Sequence, residues 1–186
     1  MTPEEIFKSL QDELGEDVVF DFNDGTGDDK DPWCKVEPFR IADVGKKLKT
    51  DPDLHFDYLE CITGIDFPDD GQIGVTYHLC SYVKKHRIVL KCFLDREDPV
   101  IPTLNDVWRA AGWQERECFD LLGVLFDGHP DLRRLLLPDD WEGHPLRKDW
   151  KEQDNYHSIP TTRVNMLDLL GAKRPEGDEA PKGEKA

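Results

Sequence analysis

Two runs of alternating residues constrain the fold more than any other feature of this chain. Ile73, Val75, Tyr77, Leu79, Ser81 and Val83 alternate with Gly74, Thr76, His78, Cys80 and Tyr82. After Lys84-Lys85-His86, the residues Ile88, Leu90, Cys92 and Leu94 keep the same period of two. A β-strand sends successive side chains to opposite faces, so this pattern predicts strands with one apolar face to bury. Tyr58–Phe67 precedes Pro68-Asp69-Asp70-Gly71, whose residues favour a tight turn. Three consecutive strands in an antiparallel meander follow, and helices are the natural cover for their apolar face.

The rest of the chain supplies those helices. Thr2-Pro3-Glu4-Glu5 reads as a capped helix start, with Ile6, Leu10 and Leu14 on adjoining turns and Gly15 as the stop. Val18–Phe22 and Trp33–Glu37 read as short strands around a polar loop, residues 23–32, and together as an irregular hairpin. Ile41, Val44 and Leu48 mark a second helix that ends near Pro52. Thr103 caps an expected third helix, with Leu104, Val107, Trp108 and Ala111 at helical spacing and Gly112 at its end. A fourth is expected from Trp113 to Leu122. Trp108 and Trp113 are read as core. The fold class is therefore α+β: helices packed on a mostly antiparallel sheet, with a long irregular C-terminal extension. Boundaries are expected at residues 1–125 for the α+β domain, 126–172 for an extended docking segment, and 173–186 for a disordered polar tail.

Length and charge narrow the function. A chain of 186 residues is of ordinary domain size and buries roughly two-thirds of its unfolded surface. Its formal net charge of −16 argues against duplex nucleic acid and against anionic lipid as direct partners. The first residues are too charged for a secretory signal, and no stretch approaches the ~18 apolar residues of a membrane helix. Work at a membrane would require another chain to hold this one there. The five cysteines, Cys34, Cys61, Cys80, Cys92 and Cys118, include no CxxC pair and read as reduced, mostly buried thiols. The stretch Asp28-Asp29-Lys30-Asp31 lacks the twelve-residue EF-hand pattern and reads as a solvated loop rather than a calcium site.

The most informative stretch runs from Gln114 to Trp150. It holds two His-Pro steps, at His129 and His144, which force extended backbone before each proline. Arg133-Arg134 and Arg147-Lys148 accompany Asp139-Asp140 and Asp149, and Trp141 and Trp150 lie among them. The segment is too irregular for one helix or sheet, and Leu135-Leu136-Leu137 makes it too apolar to stay in water. Such a mixture suits a docking surface, where aromatic residues and arginine supply the anchors. Other readings compete. Glu115, Glu117 and Asp120 with His129 carry the groups of a metal or acid–base site. The plainer reading puts Glu115 and Glu117 on different helix faces, with Arg116 pairing locally and the histidines bonding turned backbone. The paired cations suit phosphate, but no glycine loop accompanies them.

In order and spacing this stretch closely resembles the signature of the 30 kDa (C) subunit family of respiratory NADH:quinone oxidoreductase, complex I. The matching residues are Glu115-Arg116-Glu117, Phe119-Asp120, Gly123, Phe126, His129-Pro130, Asp131-Leu132-Arg133-Arg134, Pro138, Asp140-Trp141 and Gly143 through Trp150. The family usually has proline after the final aromatic residue, where this chain has Lys151, so the resemblance does not carry over to the path beyond Trp150.

The resemblance implies a non-catalytic structural subunit of the hydrophilic arm, peripheral on the cytoplasmic side of the inner (plasma) membrane. It implies packing against the 49 kDa (D) subunit and near the iron–sulfur subunits. It also implies no cofactor in this chain, with FMN, iron–sulfur clusters and quinone held by neighbours. The residues expected to dock are Glu115, Arg116, Glu117, Asp120, His129, Arg133, Arg134, Trp141, His144, Arg147, Lys148, Asp149 and Trp150. One alternative is the same subunit in a related membrane-bound complex fed by ferredoxin, F420 or hydrogen. Another, of a different class, is a free-standing hydrolase using Glu117, Asp120 and His129.

Overall fold

The computed structural model describes residues 1–26 and 30–161. It separates into two compact units, Met1–Trp150 and Lys151–Ala186. Residues 126–150 thus belong with the body of the fold, and the boundary expected after Leu125 falls at Trp150. Residues 162–172 of the extended segment and the tail from Lys173 lie outside the described residues.

In the first unit, helix α1 spans Pro3–Leu14. Its capping box forms as the sequence suggests: Glu5 N–H donates to Thr2 Oγ1 at 3.3 Å, and Thr2 N–H to Glu5 Oε2 at 2.8 Å. Ile6 and Leu10 are fully buried. Strands β1 (Val19–Asn23) and β2 (Trp33–Val36) pair antiparallel, with Val19 opposite Val36. Helix α2 follows at Ile41–Thr50 and buries Ile41, Val44 and Leu48. The meander is β3 (Tyr58–Phe67), β4 (Gln72–Ser81) and β5 (His86–Asp95).

The sheet order is β1-β2-β5-β4-β3. β2 pairs parallel with β5, Cys34 beside Leu90, so the N-terminal hairpin joins the last strand of the meander. That single parallel pair leaves the sheet mostly antiparallel. Along β4, Ile73, Val75, Tyr77 and Leu79 are at most 1% exposed and face the helices. Burying such a side chain stabilises the fold by about 1.5–3 kcal/mol relative to exposure. Gly64 of β3 lies on the same face, and a Cβ there would stand 2.3 Å from Leu122 Cδ1. A side chain at residue 64 would displace the Leu122 side chain of the overlying helix.

The third expected helix does not form. Residues 103–110 make tight turns, with Val107 N–H and Trp108 N–H both donating to Leu104 O. The helix, α3, begins at Ala111, runs through Gly112 and ends at Leu122. These turns do not run on into α3, because Ala111 N–H bonds Trp108 O, one residue short of an α-helical bond. Glu115 accepts from Leu104 N–H at 2.7 Å and from the Thr103 hydroxyl, while Thr103 Oγ1 accepts from Asn105 N–H. Leu104, Val107, Trp108 and Ala111 are still all buried, because consecutive turns keep nearly the helical spacing. Trp113 is a second correction: it is 63% exposed, on the outer face of α3. Short parallel strands β6 (Val100–Pro102) and β7 (Leu125–Asp127) bracket α3.

In the second unit, β8 (Asn155–Tyr156) and β9 (Ile159–Pro160) form a small antiparallel pair. His157 and Ser158 between them both have positive φ.

Candidate functional site

Helix α3 and the segment wrapped around it hold all thirteen candidate residues, and most of their polar groups point inward. Asp120 is the centre. Its side chain is fully buried, and its Oδ2 accepts three consecutive backbone N–H groups, Leu135 at 3.0 Å, Leu136 at 2.7 Å and Leu137 at 2.9 Å. Its Oδ1 accepts from Arg134 at 2.8 Å. Burial alone would raise this carboxyl's pKa, but the three N–H groups and the guanidinium together hold it below the ordinary aspartate range. Arg134 then donates onward to the carbonyls of Trp141 and Gly143.

Arg116 does not pair locally. It donates to the carbonyls of Arg133 and Arg134, both at 3.1 Å, so it fixes the strap from the other side. The strap needs such fixing because its backbone is not part of any sheet ladder.

The stretch Gly143 to Trp150 acts as a cap. The last carbonyls of a helix lack partners within it. In α3 the Asp120 carbonyl accepts from His144 Nδ1–H at 2.9 Å, Leu121 from Leu146 N–H at 3.0 Å, and Leu122 from Arg147 Nε at 2.8 Å. Gly123 ends the helix in the left-handed region, φ 82°. A Cβ at Gly123 would lie 2.7 Å from His144 Nε2, so the helix end is shaped for this cap. The positive Arg147 also suits the negative end of the helix dipole.

The far end of the strap is tied to the sheet corner. Asp66 of β3, fully buried at its side chain, takes a bidentate bond from Arg96 at 2.7 and 3.1 Å and the Lys148 N–H at 2.7 Å. Arg96 also donates to Asp149 at 2.6 Å. The Arg96 bond, opposed by burial, lowers the Asp66 pKa. Trp150 stacks on Trp141 with ring centroids 6.1 Å apart and donates its ring N–H to Glu142 O.

Glu115 and His129 form a separate buried pair. His129 Nδ1 accepts from Asp131 N–H, so Nε2 carries the proton and donates to Gly112 O at 3.1 Å. That Nε2 lies 3.9 Å from Glu115 Oε2. Burial raises the Glu115 pKa despite its hydrogen bonds. Glu117 stands apart, exposed on the outer face of α3. Of the carboxylates and histidine weighed as an acid–base set, only Glu115 and His129 are therefore brought together. Asp120 is saturated with donors, His129 faces Glu115, and Glu117 faces outward. Among the described residues no group of three or more His, Cys, Asp or Glu is placed to hold a metal.

All five cysteines are free, and four are buried. Burial pushes the Cys34 and Cys118 thiols up to about 12 and Cys80 to about 11, so they behave as small apolar groups. The polar residues that sequence reasoning missed are Thr103, Asp66 and Arg96. No local pattern links them to the signature: Asp66 lies 82 residues from Lys148, and Arg96 lies 53 from Asp149.

The outward side chains of this segment mix charged residues, Glu117, Arg133, Lys148 and Asp149 among them, with several large apolar ones. Trp113 and Glu117 are exposed one turn apart on α3, with Leu121 half-buried a turn further on. Leu146, 54% exposed, joins Leu121 and Glu117 around a groove of about 170 Å³ beside β3. Leu125 and Leu136 are also exposed, as is the Arg133 side chain, 72%, which bonds Asp131. The Lys148 side chain is exposed too.

The family described as "Respiratory-chain NADH dehydrogenase, 30 Kd subunit" matches residues 34–156. The chain belongs to that family. The C subunit of NADH-quinone oxidoreductase from Chloroherpeton thalassium is 47% identical over 113 residues, 60% of this chain and 47% of that protein. This chain thus matches about half the length of that relative. A Bacteroides fragilis protein, named as the combined C/D subunit of NADH-quinone oxidoreductase, is 41% identical over 153 residues, 73% of this chain and 28% of that protein. Among solved structures, the trypsin-resistant fragment (1–134) of Nqo5 superposes with a TM-score of 0.58 at 25% identity, covering 71% of this chain and all of the fragment. A chain of the membrane-bound sulfane sulfur reductase, an archaeal respiratory membrane complex, shares the fold with a TM-score of 0.66 at 22% identity, covering all of both chains.

Proposed function

We propose that this member of the 30 kDa family is a structural subunit of the hydrophilic arm of a respiratory NADH:quinone oxidoreductase. It supports electron transfer from NADH to quinone and contributes no catalytic residue. FMN, iron–sulfur clusters and quinone belong to neighbouring chains on this reading. The observation that carries it is the division of labour in the signature. Asp120, Arg116, Arg134, His144 and Arg147 are used inside the fold, to hold the strap on α3, while Trp113, Leu146 and, in part, Leu121 form a strip facing outward with Glu117 among them. Large apolar side chains left outward among charged ones suit an interface rather than a reaction centre.

The D subunit is the partner we infer for that strip. The Bacteroides fragilis relative carries both C and D in its name, and one chain holding both keeps the two modules at high effective concentration for each other. Among the described residues no helix is long and apolar enough to cross a membrane. Attachment to the cytoplasmic face of the membrane would therefore run through other subunits.

The test is a mild-detergent purification of the tagged chain from native membranes, with an NADH:quinone assay on the eluate. Co-elution of flavin and iron–sulfur subunits with NADH activity is expected. A redox complex that ignores NADH would move the chain to a relative of the sulfane sulfur reductase kind. A lone monomer would overturn the reading.

A further inference from the structure

Among the described residues, helices cover only one face of the five-stranded sheet. The opposite face would be polar throughout if it simply met water, but aromatic and aliphatic side chains stand among its Thr63, Thr76, His78 and Lys91. Phe67 and Phe93 lie over Gly74, where a Cβ would come within 2.9 Å of the Phe67 ring, and their ring centroids are 6.0 Å apart. Trp33 sits beside Val89 in the β2–β5 register, and Ile65 on β3 is 43% exposed. At one end Tyr58 and Tyr82 pair at 5.3 Å, both substantially exposed. The middle of this face holds a groove of about 250 Å³ whose walls include Trp33, Ile65, Thr76 and Lys91.

Charge on this face runs against that of the whole chain. The net charge is −16, yet the charged side chains over the aromatic strip are mostly cations, Lys30, Lys35, Arg87 and Lys91, with Asp31 lining the same groove. Lys91 Nζ stands 3.8 Å from the Trp33 ring centroid and Lys35 Nζ 5.6 Å from that of Phe93. Arg87, on the same face of β5, lies 3.5 Å from Asp31. Lys35 bonds Asp21, but Lys91 has no carboxylate partner among the described residues. An apolar floor under cations that are only partly neutralised is complementary to an apolar side chain with carboxylates beside it.

We propose that this uncovered sheet face binds a segment of a neighbouring polypeptide that presents an apolar side chain flanked by acidic residues. The inference rests on the reading of this chain as a subunit of an assembly, and it adds a second contact on the side of the sheet away from α3. A second copy of the chain is a poor occupant, because two like faces would set cation against cation in a two-fold contact. The incoming side chain enters the groove beside Trp33 and Val89, and its neighbouring carboxylates meet Lys91.

The experiment places a photo-crosslinking residue at Thr76, and separately at Ile65, in the full chain assembled in its native complex. Mass spectrometry then identifies the linked peptide. Both positions should link to an acidic segment of another subunit. Lys91→Glu should lower the yield about tenfold, by setting like charges together, while Lys91→Arg should retain it. Linkage confined to this chain or to a second copy, linkage to a segment without carboxylates, or an intact complex with no product would each overturn the proposal. So would an undiminished yield in Lys91→Glu. A chain that fails to co-purify with redox subunits would sink the functional reading and this inference together. Co-purification without linkage would sink this inference alone.

Discussion

Asp120 and Arg134 meet at 2.8 Å across a fully buried carboxylate, and the same carboxylate collects the N–H groups of the three residues after Arg134. Removing one side of such an arrangement leaves buried donors without acceptors. Asp120→Ala should therefore cost about 3–5 kcal/mol, and Asp120→Asn, which keeps one oxygen, about 1–3 kcal/mol. Urea unfolding of the full chain checks both. A loss below about 1 kcal/mol in the alanine variant would mean that the strap is held elsewhere.

Gly123 is required twice, by its φ of 82° and by the approach of His144. Alanine there should destabilise by at least about 1 kcal/mol from the left-handed conformation alone. It should also loosen the cap on α3. Hydrogen exchange at Leu146 N–H, which bonds Leu121 O, should speed up in the variant if the cap depends on that glycine.

The two tryptophans near the start of α3 should behave oppositely. Trp108 is 4% exposed and donates to Phe56 O at 3.0 Å, so Trp108→Ala should cost about 3–5 kcal/mol. Trp113 is exposed, with Arg116 5.1 Å from its ring. Trp113→Ala should shift stability by less than about 1 kcal/mol. Equal effects in thermal unfolding would contradict the placement of either ring.

Stability should respond to pH in two opposed ways. Asp66 and Asp120 have lowered pKa values in the folded chain, against about 3.9 unfolded. The folded state binds fewer protons there, so this stabilisation is complete above the unfolded value. It is lost as pH falls through the folded ones. Glu115 has a raised pKa, so its contribution is the reverse: stability declines as pH rises from about 4.3 through its folded value. Glu115→Gln should remove that decline, and the Asp66→Asn, Asp120→Asn double variant should flatten the acid loss. Unfolding midpoints measured from acid to neutral pH separate the two.

Interface function should part from stability at Leu146 and Trp113. Both side chains are more than half exposed, so Leu146→Glu with Trp113→Glu should leave the isolated chain folded. The same pair should sharply reduce recovery of the D subunit and of NADH:quinone activity in the purified complex. Undiminished recovery would place the D contact elsewhere on the chain.

Sequence signals are legible where they act over a few residues. Alternation locates the meander, the Thr2–Glu5 box locates α1, and the apolar spacing from Leu104 to Ala111 picks out buried residues even though no helix forms there. Glu115 reaches back to claim Leu104 N–H and the Thr103 hydroxyl, and a carboxylate eleven residues downstream leaves no trace in local propensity. The same limit hides Asp66 and Arg96, whose partners lie across the fold. It also reverses Trp113, because helical spacing cannot say which face of α3 will meet the sheet.

By itself the sequence determined the element types, the α+β class and the stretch that matters, since periodicity and turn chemistry are properties of neighbouring residues. Tertiary structure alone decided which partners within the fold the polar groups of the signature take. Burial and donors from distant backbone turned Asp120, Arg116, His144 and Arg147 into internal fasteners. What they fasten is a strap that leaves Leu146 facing outward beside Glu117 and Leu121. Whether a charged residue binds a partner or its own fold depends on which donors lie within about 3 Å, and only the folded chain fixes that.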